Sequence, residues 1–127
     1  MSLPALHISP EAMAVYRDTA RRRREKEQQA LTRRRKHAWQ VTQRAAALLK
    51  EQFGATQVAA FGSLVHGFWF SKTSDIDLGV WGLKADDYFV AVAKLQDISA
   101  EFKIDLVAIE HCKRALREAI VREGKVL

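Results

Sequence analysis

The chain has 127 residues, 48% of them hydrophobic, and carries 21 Lys and Arg against 15 Asp and Glu, a formal charge of +6. That length supports one domain with a single core, and no apolar run approaches the roughly 18 residues of a membrane span. Met1–Leu6 lacks the basic-then-apolar order of a secretory signal, and the lone Cys112 excludes an internal disulfide, so a cytoplasmic protein is expected.

The charge is lopsided. Residues 1–53 hold twelve Lys or Arg and five Asp or Glu, whereas residues 54–127 hold nine and ten, so the basic excess lies entirely in the first segment, in Arg21–Arg24 and Arg33–Lys36. From Pro10 to Phe53 there is no Gly and no further Pro, and Ala, Arg, Glu, Gln, Lys and Leu dominate. Ser9-Pro10-Glu11 forms an N-cap with Pro in the first turn, and Gly54 is a C-terminal stop. The pattern allows one very long helix or two broken near Glu25–Gln29. Apolar positions are sparse early (Met13, Val15, Tyr16, Ala20) and dense later (Trp39, Val41, Ala45, Ala46, Leu48, Leu49, Phe53). Residues 1–53 therefore read as a projecting helical arm followed by a packing helix, and 54–127 as the core. The arginine runs allow a solvated face, phosphate contacts with RNA, or docking to an acidic partner. The solvated face carries the most weight, and RNA is favoured least where so few aromatics accompany the arginines.

Downstream, strand and helix patterns alternate: strands near 57–61, 76–81 and 102–109, a short helix near 63–68, and helices near 85–99 and 111–123, the last stopped by Gly124. This predicts an α/β (α+β) fold, a small mixed sheet with helices mainly on one side. Cys112 beside His111 reads as an incidental thiol at a helix start.

The chemistry concentrates between Phe61 and Val80. Gly62-Ser63 follows the apolar run Val58–Phe61, and Asp75 and Asp77 flank Ile76 at the start of the next strand. Side chains two apart on a strand share a face, so the two carboxylates stand side by side. Such a pair repels and loses hydration unless a cation lies between its members. Magnesium takes oxygen ligands, usually one or two carboxylates together with substrate phosphates, and a Gly-Ser turn offers backbone N–H groups to phosphate oxygens. Asp105, alone among Ile104, Leu106 and Ala108, can join the pair if its strand is a neighbour. Three acids so placed can hold a two-metal centre for phosphoryl or nucleotidyl displacement.

Gly62-Ser63, Asp75-x-Asp77 and Asp105 in an Ile-Asp-Leu-Val context resemble the signature of the DNA polymerase β nucleotidyltransferase superfamily, in particular its minimal (MNT) branch, over about residues 55–110. Two departures stand out. The linker from Ser63 to Asp75 is one residue longer than usual, which should bulge the turn around Trp69-Phe70-Ser71. His66 also precedes Gly67 where the family commonly has Arg. The resemblance implies a Mg2+-dependent enzyme with ATP or another nucleotide as donor. It assigns Gly62 and Ser63 to the triphosphate, Asp75 and Asp77 to both metals, and Asp105 to the acceptor-side metal. It also implies a protein partner, often a HEPN-type RNase toxin, with the MNT member as antitoxin transferring AMP to a toxin tyrosine. The alternative is a non-catalytic antitoxin or RNA-binding adaptor acting through the arm. Self-association through the N-terminal helix is a further expectation.

Overall fold

Nothing between Pro10 and Phe53 interrupts helical propensity. In the computed structural model, which describes residues 8–127 except Phe68, the segment is one unbroken helix, α1 (Pro10–Phe53). The N-terminal hexapeptide lies outside the described residues. Both expected stops act: the Ser9 hydroxyl accepts from the Ala12 N–H at 3.1 Å, and Gly54 adopts φ 69° with its N–H on the Leu49 carbonyl. At about 1.5 Å per residue, 44 residues span on the order of 66 Å.

Only the second half of α1 is packed. Ala38, Val41, Thr42, Ala45, Ala46 and Leu49 recur at three- and four-residue steps and are buried, which is the stripe of an amphipathic helix. The three alanines keep α1 close to the sheet beneath it. Thr42 is the one buried polar side chain among the described residues, and its hydroxyl donates to the Ala38 carbonyl at 2.7 Å. Upstream the stripe ends. Val15 and Tyr16 are 66% and 68% exposed, so this part of the helix rests on propensity and on exposed pairs such as Asp18 with Arg21 and Arg22, which add little.

Behind α1 lies a four-stranded sheet: β1 (Gln57–Phe61), β2 (Ile76–Trp81), β3 (Ile104–Ala108) and β4 (Lys125–Val126), in the order β3-β2-β1-β4. β1 runs antiparallel to β2 and β4, while β2 and β3 are parallel. The connection from β2 to β3 carries α2 (Tyr88–Gln96), and α3 (Arg114–Glu123) precedes β4. Val58, Ala60, Ile76, Leu78, Val80, Ile104 and Leu106 form the inner face of the sheet, packed with α1 and with Ala91 and Leu95 of α2. The opposite face is covered by Ile109 and by Ile120 of α3, which meet Ala59.

The mixed sheet and the three main strands match expectation. Helices lie mainly on one side, α1 and α2 on the inner face, with α3 covering part of the second, and the short helix near 63–68 is only a 3-10 turn at Gly62–Leu64. The outer edge of β3 is closed by α2. The Gln96 amide donates to the Ile104 carbonyl at 2.6 Å and accepts from its N–H, and the Tyr88 hydroxyl donates to the Leu106 carbonyl at 2.7 Å. A strand edge whose polar groups are taken in this way offers no template for another strand.

The two arginine runs part company. Arg21–Arg24 are exposed, but Arg34 and Arg35 are half-buried against the loop that follows β1. The Arg35 guanidinium donates twice to the Leu64 carbonyl, at 3.2 and 3.0 Å. The second run therefore belongs partly to the core and not to the arm. Replacing Arg35 by Ala should cost about 1.5–3 kcal/mol in urea denaturation, the range for hydrogen bonds to a charged group. Replacing Arg23 should change stability by no more than about 0.5 kcal/mol.

Candidate functional site

The register of β2 and β3 builds the site. Their parallel pairing sets Asp77 directly beside Asp105, and paired residues on adjacent strands face the same way. Asp75 precedes Asp77 by two residues and shares its face. Since Ile76, Leu78, Ile104 and Leu106 are buried under α1 and α2, the acids stand on the opposite face, where α3 reaches only part of the sheet. All three are half-buried.

Gly62 comes next to them because Phe61 pairs with Asp77 across β1 and β2. Its φ is 75°, and a Cβ there would lie 2.5 Å from the Asp77 Oδ2. Position 62 therefore needs glycine twice over, for the left-handed backbone and for the approach to the carboxylate. Ser63 follows in the same 3-10 turn, half-buried. The loop returning to Asp75 closes on itself at Ser71–Ser74: the Ser74 hydroxyl accepts from the Ser71 N–H at 2.8 Å, and the Ser71 carbonyl accepts from the Ser74 N–H at 3.2 Å.

The electrostatics follow from this crowding. The Asp77 pKa is raised, first by burial, then by the charge on Asp105 and then by that on Asp75. All three causes disfavour the carboxylate form, and a divalent cation beside the group would reverse them. The donor set, three hard oxygen ligands on one face next to a turn with room for an anion, fits magnesium, which keeps several waters and uses few protein ligands. Among the described residues, no three His, Cys, Asp or Glu side chains close round a single point as a finished cage. The Asp105 Oδ1 instead lies 3.5 Å from the Lys103 Nζ. What joins the three acids is the strand register, which sets Asp77 beside Asp105, with Asp75 two residues earlier on the same face.

Two nearby residues, Lys103 and Glu123, escaped the sequence reading. Lys103, just before β3 and two residues before Asp105, reaches the acids, a position that strand periodicity alone could have given. His66 lies 3.4 Å from a carboxylate oxygen of Glu123 at the end of α3, with its ring 5.0 Å from that of Trp69. No local pattern joins residues so far apart in sequence. A cavity of about 210 Å³ opens here beside Gly62 and Ser63, walled by His66, Trp69, Leu116 and Glu123. Trp69 is 70% exposed.

With this geometry in place, comparison with known proteins is direct. The model of the family "Polymerase beta, Nucleotidyltransferase" matches residues 43–127, more than half of the chain, and the chain belongs to that family. The Gly-Ser, Asp-x-Asp and third-Asp pattern thus led to the right family. Among solved structures, a toxin–antitoxin with AMP-PNP is similar at a TM-score of 0.55 and 25% identity, over 63% of this chain and 66% of that one. A mutant of the toxin–antitoxin MntA-HpeT is similar at a TM-score of 0.53 and 26% identity, over 64% and 66%. The chain thus spans just under two thirds of the length of these relatives. No curated protein sequence matches it. Among the described residues, no helix is long and apolar enough to cross a membrane.

The raised Asp77 pKa sets the sign of one pH effect. In the folded, metal-free protein Asp77 holds its proton to higher pH than in the unfolded chain, whose value is near 3.8. Its contribution to stability is therefore present below that value and is lost as pH rises through the raised folded value. At pH 7 with a chelator, Asp77→Asn should raise the melting temperature by a few degrees. That gain should vanish near pH 3, measured by thermal unfolding across the pH range.

Proposed function

We propose that the protein is a Mg2+-dependent nucleotidyltransferase that moves AMP from ATP to a hydroxyl on a partner protein, as the antitoxin-type member of a toxin–antitoxin pair. The observation that carries this reading is the register that sets Asp77 beside Asp105, next to Gly62, whose left-handed backbone and approach to the carboxylate favour glycine. Membership of a nucleotidyltransferase family supports the reaction class. The similarity to toxin–antitoxin structures, one of them with AMP-PNP, supports the donor and the kind of partner.

In this reading Asp75 and Asp77 hold the divalent cations, and Asp105 completes the acceptor side. Bound there, the ions would neutralise the phosphate charge and lower the pKa of the incoming hydroxyl. Gly62 and Ser63 present N–H groups and a hydroxyl to the triphosphate. The acceptor oxygen bonds to the α-phosphorus as the bond to the bridging oxygen breaks, and pyrophosphate leaves on the opposite side. Asp105 stands where it can receive the hydroxyl proton. Lys103, on the same face, adds a positive charge toward the phosphates. The nucleoside end fits the cavity between Trp69 and α3. Catalysis by positioning and charge neutralisation asks no more of the protein than this.

The exposed part of α1 suits the partner. It carries Arg21–Arg24 and uncovered Val15 and Tyr16, and a helix without tertiary contacts gains order from a docked surface. A HEPN-type RNase is the partner class that the family resemblance brings forward. The rival reading is a protein that binds its partner or RNA through this arm without chemistry.

Transfer of label from α-phosphate-labelled ATP to the protein encoded alongside, with magnesium present, separates the two. The wild type should label the partner, and Asp75→Asn/Asp77→Asn should lower the rate by roughly 100-fold or more. Equal labelling by the double variant, or none by the wild type in a stable complex with its partner, would leave the contact reading.

A further inference from the structure

The half-buried guanidinium of Arg34 joins two segments that are distant in sequence. Its Nε donates to the Ser71 carbonyl at 3.3 Å and its Nη2 to the Ser74 carbonyl at 3.1 Å, while its Nη1 meets the Glu101 Oε1 at 3.1 Å. The guanidinium carbon lies 4.3 Å from the centre of the Phe102 ring and 5.8 Å from that of Phe70. All three nitrogens are used, and the side chain is only 18% exposed.

What these contacts hold matters more than their number. The Ser74 carbonyl belongs to the peptide bond that leads into Asp75. Glu101 and Phe102 are the residues through which the chain enters β3, whose second residue is Asp105. One side chain from α1 thus ties the entry of the strand carrying Asp75 and Asp77 to the entry of the strand carrying Asp105. His37, one turn along on the same helix, reinforces the tie, with its Nδ1 2.5 Å from the Glu101 Oε2 and its ring edge-on to Phe102. Lys could not replace this. A planar fork that bonds in three directions while stacking on an aromatic face is specific to Arg.

The geometry points to Arg34 as a positioning residue for the divalent-cation site, fixing Asp75 relative to Asp105 through the Ser74 carbonyl and the Glu101-Phe102 entry to β3. It rests on the reading of the three aspartates as cation ligands. Groups that orient metal ligands without touching the metal typically carry 10–100-fold of metal affinity. Charge alone predicts the opposite sign, since removing a cation near an acidic site strengthens the binding of another cation.

The test is Mn2+ binding to the full chain, followed by electron paramagnetic resonance below the melting temperature, for the wild type, Arg34→Lys, Arg34→Ala and Glu101→Gln. Arg33→Ala, at an exposed neighbouring position, is the control. Arg34→Lys keeps the charge and the fold and should raise the Mn2+ dissociation constant about tenfold. Arg34→Ala should do at least as much against the electrostatic trend, Glu101→Gln should give a smaller rise, and Arg33→Ala should match the wild type. Folded Arg34→Lys and Glu101→Gln proteins that bind Mn2+ like the wild type would overturn the inference and leave the cation site standing. A folded wild type that binds no Mn2+, or binds it no better than Asp75→Asn/Asp77→Asn, would remove the cation reading itself and the inference with it.

Discussion

Holding Asp77 beside Asp105 on a half-buried sheet face is the constraint around which this structure is organised. Two carboxylates in paired positions repel, and burial strips their hydration, as the raised Asp77 pKa records. A fold under selection for stability alone has every reason to replace one of them. Here the backbone is arranged to keep them together. The parallel β2–β3 pair sets the register, α2 seals the outer edge of β3 through Gln96 and Tyr88, and α3 covers the sheet only as far as Ala59 and Gly79.

The surroundings of the pair serve the same end. Gly62 passes so close to the Asp77 carboxylate that any side chain at that position would collide with it. Its 3-10 turn begins directly after Phe61, the strand residue paired with Asp77. α1 contributes from the far side of the sheet, where a stripe of small residues packs it closely and Arg34 and Arg35 reach round to the loop before Asp75. Upstream of Arg34 the helix is largely exposed and strongly basic. One continuous helix therefore joins a packed core contact to an exposed basic segment.

Much of this was legible in the sequence, because the decisive signals are local. Helix ends at Ser9 and Gly54 follow from capping chemistry, and the strand alternation around Asp77 and Asp105 places both acids on one face. The family follows from three short motifs, legible although the linker from Ser63 to Asp75 is one residue longer than usual. What escaped has physical reasons. β4 is only two residues long, too short to show a period, and Gly124 was read as a helix stop with nothing to follow. Arg34 and Arg35 sit within a basic run, and the solvated face that such runs usually form concealed two side chains that bond carbonyls 29 to 40 residues away. The placement of α3 on the second face could not be read either, since an amphipathic helix says that it packs but not on which side.

The central claim is that the acids and the Gly62-Ser63 turn form one nucleotide and metal site. Crystals of the protein grown with Mn2+ and a non-hydrolysable ATP analogue test it most directly, through anomalous scattering from the metal. The account predicts a manganese peak within coordination distance of Asp75 and Asp77, with the triphosphate of the analogue against Gly62 and Ser63. A nucleotide bound elsewhere on the chain, with the three aspartates free of metal, would contradict it.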